Sequence, residues 1–352
     1  MGLPNINITF KTAAAAAVKR SEKGVVAVIV RDTAANGAHL LTSAAQIPEI
    51  SAENRAYVER TFLGNVSAPR KVILYVLKND AANLDDALAY LAAQSFDYLV
   101  GPANLTEEEG AAIASWIKSQ RANDFTPKAV LPNVAADSEA IVNFTTTGIK
   151  VGEETFTPAQ YCSRIAGLIA GTPMTISCTY ALLPEVTEID RLTKEEMDEA
   201  IDGGEFILYH DGEKVKVGRG VNSLQTTTAD RGEQCKKIKI VEAMDLMKRD
   251  ITTTMQDSYI GKYANSYDTK CILMTAISGY LASLEQSGIL KTGSEVGIDL
   301  TAQENYLKSV GIDTSDMDEQ AIKEADTADK VFLAAKVKVL DAIEDITLDF
   351  AI

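Results

Sequence analysis

A chain of 352 residues is long enough for two domains with real cores, and its 46% hydrophobic and 24% charged content is ordinary for a globular protein. A net charge of −16 argues against a nucleic-acid-binding surface, because a phosphate backbone is held by Lys and Arg. No apolar run approaches a membrane span, no charged segment leads into an apolar one as in a secretory signal, and Ile6 stands where a myristoylation motif takes Ser or Thr.

Both ends alternate with period 2. Ile6, Ile8 and Phe10 are interleaved with polar residues, and Ile346, Leu348, Phe350 and Ile352 alternate with Thr347, Asp349 and Ala351, which predicts a one-sided strand at each end. Segments 12–20 and 340–345 are expected to act as tethers. On pattern alone the two strands either close the protein's own sheets or add to another copy.

After the first tether, Gly24–Arg31 and Lys71–Leu77 are near-continuous apolar runs, as in strands buried on both faces. Helices are expected over Ala52–Phe62 and from an Asn83 cap to Ala93. A strand over Asp97–Val100 then leads to a helix opened by the capping box Thr106/Glu109. Strands at Lys128–Leu131 and Ile141–Phe144 precede a helix begun by Thr157-Pro158-Ala159-Gln160. The alternation predicts a mostly parallel α/β sheet. All nine prolines lie at or before Pro184, which places a boundary near Pro184–Arg191.

The second part predicts an α+β domain. A helix opens at Thr193/Glu196, a hairpin turns at Asp211-Gly212, and long helices run over Ile240–Tyr259 and Asp268–Ser287 with Gly288 as the stop. A short helix begins near Thr301, and Val331–Val339 reads as a strand. The expected organisation is an arm over 1–20, an α/β domain over 21–185, an α+β domain over 186–339 and a second arm over 340–352.

Residue types for catalysis are missing. His39 and His210 are the two histidines, and no G-x-S-x-G elbow, phosphate loop or zinc pattern accompanies them. Gly218-x-Gly220 follows a hairpin and has Ser223 in place of the third glycine of a dinucleotide fingerprint. The acidic groups at Glu107–Glu109 and Asp313–Glu319 lack calcium-loop spacing and read as solvated surface, and Cys162, Cys178, Cys235 and Cys271 read as reduced thiols. No enzyme, cofactor or metal is expected.

An ordered set of segments carries a family resemblance. It comprises Gly220-Val221-Asn222-Ser223-Leu224, Lys237–Asp250, Tyr259-Ile260-Gly261-Lys262 with Asn265 and Asp268, Tyr280-Leu281, Gly288-Ile289-Leu290, Ala325-Asp326-Thr327 and Val331–Ile352. With Leu3-Pro4-Asn5-Ile6, Lys19-Arg20-Ser21 and Gly24-Val25-Val26 at the start, the chain resembles the contractile tail sheath proteins of phages and phage-tail-like bacteriocin particles, in the compact form of Gram-positive hosts.

The resemblance implies a structural subunit, made in the host cytoplasm, that ends in the tail of a virion or particle. It implies a helical homopolymer of stacked hexameric rings around an inner tube protein, with baseplate and tail terminator proteins as further partners and no contact with nucleic acid or membrane. Ile6, Ile8 and Phe10 of one copy, and Ile346, Leu348, Phe350 and Ile352 of another, would add strands to a third copy's sheet. Lys336, Val337, Lys338 and Val339 are the expected receiving strand. Lys262 and Lys270 are expected to face the tube, with contraction bending the chain at 12–20 and 340–345. The alternatives are a metabolic enzyme on the α/β domain or another self-assembling lattice.

Overall fold

A computed structural model describes residues 18, 24–229 and 231–351. These form two compact units, one from residues 24–246 together with 340–351, the other from 247–339 together with residue 18.

The larger unit runs β1 (Val25–Asp32), β2 (Gly37–Leu41), α1 (Ala52–Thr61), β3 (Lys71–Lys78), α2 (Asp85–Leu91), β4 (Tyr98–Val100), α3 (Glu107–Ala122), β5 (Lys128–Pro132) and β6 (Ile141–Phe144). It continues through the hairpin β7 (Ile149–Val151)–β8 (Glu154–Phe156), α4 (Pro158–Ala170), α5 (Lys194–Asp202), β9 (Glu205–Phe206) and the hairpin β10 (Leu208–His210)–β11 (Val215–Val217). The long helix α6 (Ile238–Ser258) begins in this unit. The main sheet has the order β2-β3-β1-β4-β5-β6-β9. Its neighbours are parallel except for the edge strand β2, which runs antiparallel to β3.

The expected burial of both sheet faces follows from β1. Val26, Val28 and Val30 pack on one face with Tyr57 and Val58 of α1 and Tyr161, Ile165 and Ile169 of α4. Val25, Ala27 and Ile29 pack on the other with Leu88 and Leu91 of α2 and Ile113 and Ile117 of α3. Helix α4 fits against α1 only because Gly167 has no Cβ: one placed there would sit 2.0 Å from the Thr61 carbonyl oxygen. The capping boxes at Thr106/Glu109, Thr157/Gln160 and Thr193/Glu196 are all formed, each side chain satisfying an otherwise orphaned N–H.

Charges on the first turns of α6 are buried against the sheet. The Tyr98 hydroxyl donates to Glu242 at 2.7 Å. Arg121 meets Asp245 through two donors at 3.0 Å each, and Lys128 reaches the same carboxylate at 3.0 Å. Burial alone would raise the Asp245 carboxyl, but Lys128 and Arg121 outweigh it and hold it below the usual carboxylate range.

The smaller unit holds the rest of α6, α7 (Tyr267–Gln286), β12 (Glu295–Ile298), α8 (Leu300–Ser309), α9 (Glu319–Glu324) and β13 (Leu333–Lys336). Ile277, Tyr280 and Leu284 of α7 are buried, and the Tyr280 hydroxyl donates to Asp250 of α6 at 2.7 Å. β12 and β13 form an antiparallel ribbon from Glu295↔Lys336 to Ile298↔Leu333. No residue of either strand is buried.

The α/β sheet followed by an α+β region is the architecture read from the sequence, with differences of detail. The boundary expected at Pro184–Arg191 is not where the chain divides. β9 completes the main sheet beside β6, and 181–183 lies along β11, so the larger unit continues through residue 246. Segment 340–351 packs with this unit, although it follows the smaller one in sequence. Asn83 does not cap α2: Leu84 is the cap residue, and the Asn83 side chain instead accepts from the Asp85 N–H at 3.1 Å. α8 starts from Asp299, whose carboxylate accepts from Ala302 N–H, and not from Thr301. The strand expected over Val331–Val339 is shorter, Leu333–Lys336, because only that stretch lies opposite β12.

Candidate assembly site

An open parallel sheet offers a ligand crevice where the strand order reverses, here at the carboxyl ends of β1 and β4. The chain's own side chains fill it. Asp32, the last residue of β1, accepts from the Ser51 N–H and from the Asn54 amide, both at 2.8 Å, which occupies the start of α1. Desolvation raises its carboxyl, but these donors and the Ala34 N–H outweigh that and hold it well below the usual range. Arg31 pairs with Glu109 in the first turn of α3, and the Tyr57 hydroxyl donates to the Gly101 carbonyl at 2.9 Å. Both helix starts that would attract a phosphate already hold a carboxylate of the protein. Among the described residues no group of three His, Cys, Asp or Glu is placed to hold a metal, and no helix is long and apolar enough to cross a membrane.

Among the described residues, the features without a partner lie elsewhere. The ribbon β12–β13 flanks a groove of about 880 Å³. Leu333, Ala334 and Ala335 line it from the ribbon, and Ile251, Met255 and Leu273 from α6 and α7. Ile346, Leu348 and Phe350 are 80%, 69% and 81% exposed and belong to no strand. Ile6, Ile8, Phe10 and Ile352 lie outside the described residues.

Of the expected receiving strand, Lys336 is in β13 opposite Glu295. The Lys338 carbonyl accepts from Lys291 N–H at 2.8 Å, and Val339 bridges Leu290, so these residues continue the ribbon past β13. Val337 is partly exposed between them. Lys262 is exposed and turns its ammonium onto the Asp257 carbonyl. Lys270 corrects an expectation. It does not project from α7: it is 3% exposed, with its ammonium 3.1 Å from the Thr327 hydroxyl, and cannot serve as a tube-facing charge.

Segment 340–345 is not a loose tether either. The Glu344 side chain is 5% exposed. One of its oxygens accepts from the Thr179 hydroxyl at 2.6 Å and the Ser177 hydroxyl at 3.2 Å. The other lies 3.2 Å from the Lys237 ammonium and 3.5 Å from the Arg219 guanidinium. Arg219 also pairs with Asp345, Lys237 with Asp341, and Lys239 donates to the Leu340 carbonyl at 2.7 Å. Desolvation raises the Asp341 carboxyl, but Lys237 outweighs it, and the carboxyl lies below the usual range. Gly220 makes room for the socket: a Cβ there would meet Cys178 Sγ at 2.8 Å and Ser177 Oγ at 3.1 Å. Sequence reading missed this socket. Its one visible signal was the run of acids at 341, 344 and 345.

The fold is an α/β unit with a smaller α+β unit, and comparisons identify the class. Residues 78–223 match the phage tail sheath protein central domain, and residues 230–352 match the phage tail sheath C-terminal domain. A tail sheath protein of Clostridium phage phiCD119 is 40% identical over 99% of this chain and 98% of its own. The chain belongs to the phage tail sheath family.

Solved structures share the fold. A sheath tail protein from Desulfitobacterium hafniense superposes with a TM-score of 0.71 at 16% identity, over 84% of this chain and 94% of that one. The helical sheath of the anti-feeding prophage in its contracted state gives 0.72 at 17% identity, over 100% and 99%. The protein is a structural component of the tail sheath, not an enzyme.

Proposed function

We propose that this subunit polymerises as stacked hexameric rings around an inner tube protein, and that its rings twist and close up to drive the tube through a cell envelope. Copies are joined by strand exchange. The terminal strand carrying Ile346, Leu348, Phe350 and Ile352, and the N-terminal strand carrying Ile6, Ile8 and Phe10, add to the β12–β13 ribbon of other copies. Baseplate and tail terminator proteins hold the two ends of the cylinder, and Lys262 is a candidate contact to the tube.

The carrying observation is the ribbon itself. A two-stranded sheet with no buried residue is marginal alone, and among the described residues no third strand pairs with this one, which lies beside an apolar groove. An alternating strand adds main-chain hydrogen bonds along such an edge and places every second side chain in the groove. A subunit that lends a strand to one neighbour and takes one from another makes a heterologous contact, which builds rings and helices instead of closed dimers. Deleting residues 346–352 tests this: the expected product is a folded subunit that forms no cylinders, and normal cylinders would refute strand exchange through this end.

A further inference from the structure

We infer that segment 340–345 is a clamp: Glu344, seated between Ser177, Thr179, Arg219 and Lys237, fixes the point from which the terminal strand leaves the larger unit before any neighbour is present. The inference rests on the strand-exchange reading and changes where the motion lies. A hinge at 340–345 would let the strand sweep freely from the end of β13. A clamp ties its root to the α/β body and leaves only the residues after Asp345 to swing.

Charge and packing both argue for a built seat. The segment carries Asp341, Glu344 and Asp345, and the body meets them with Arg219, Lys237 and Lys239 in a chain whose net charge is −16. Exposed ion pairs by themselves hold little. Glu344 differs because its carboxylate is removed from water, with both hydroxyls donating to one oxygen and both cations within ion-pair distance of the other, an arrangement that is costly to break from one side. Thr179 is itself positioned, accepting from the Gly220 N–H at 2.9 Å, and its own N–H donates to Ser177 Oγ at 3.1 Å. Exposure alternates along the segment: the Glu344 side chain is buried, whereas Ile343 is 88% exposed and residues 345–351 are open.

The consequence is pre-organisation. A strand whose root is fixed samples a small volume, so a larger fraction of free subunits presents it in a position to dock. During contraction the root travels with the α/β body, and the chain turns only beyond Asp345.

Spin labels on the full-length, unassembled subunit test the clamp. Cys162, Cys178 and Cys235 are buried, so a Cys271→Ser background leaves a single introduced cysteine as the reactive site. A label at Ile343→Cys, on the open side of a fixed segment, should be less mobile than one at Leu348→Cys. In Glu344→Ala, and in the double variant Arg219→Ala/Lys237→Ala, the label at 343 should become as mobile as that at 348. Cylinder formation should slow by about tenfold as the docking-competent fraction falls. Equal mobility at both positions in the parent, unchanged mobility at 343 in Glu344→Ala, or a mobile tail that assembles at the parental rate would each overturn the inference. Failure of strand exchange reads differently: the label at 348 would stay mobile in finished cylinders while that at 343 remained less mobile.

Discussion

At the residue scale, the side chains that matter most are those buried with charge. Asp245 joins α6 to the sheet through Arg121 and Lys128, and Lys128 is itself almost fully covered. Removing one partner strands the others, so Asp245→Ala should cost about 3–5 kcal/mol in urea denaturation of the soluble subunit. The carboxyl is held below its unfolded value of about 3.9, so its stabilisation is complete above that pH and is lost as pH falls through the folded value. The gap in stability between the parent and Asp245→Ala should therefore narrow as pH falls below about 4, and a gap independent of pH would contradict the assignment. Gly167→Ala tests packing in place of charge. With the Thr61 carbonyl oxygen 2.0 Å from the new Cβ, the variant should lose about 1–3 kcal/mol by the same measurement.

At the element scale, what was legible in the sequence was local. Thr106 and Glu109, or Thr157 and Gln160, are three residues apart and fix a helix start from neighbouring atoms alone. The apolar run of β1 announced a strand covered on both faces. What was not legible depended on distant partners. β9 is two residues long and is a strand only because Asn143 and Phe144 lie beside it, which is why the boundary was placed too early. Lys270 looked like a free cation because Thr327, its partner, is 57 residues away. The Glu344 socket draws Ser177 and Thr179 from 167 and 165 residues away. The exposed alternation at the C-terminus was visible from the start, and it yields a test at this scale. A synthetic peptide of residues 345–352 should inhibit cylinder formation by occupying the ribbon edge, and a scrambled peptide should not. Equal effects of the two would argue against a strand-specific site.

At the scale of the whole molecule, the subunit combines a rigid α/β body, a smaller unit with an unfinished ribbon, and a strongly negative charge. Like-charged copies repel, so raising ionic strength from about 0.05 to 0.5 M should lower the protein concentration at which cylinders form, as read by sedimentation. Packed cores resist continuous deformation, so contraction should move each unit as a near-rigid body and bend the chain where its exported strands leave it, on the C-terminal side beyond Asp345. The structure of an assembled cylinder tests the central claim most directly. The account predicts that each β12–β13 ribbon is extended by strands from other copies, with Ile346, Leu348 and Phe350 of a neighbour seated in the groove beside Leu333 and Ala335. A terminal segment folded back on its own subunit, with the ribbon edges left unpaired, would contradict it.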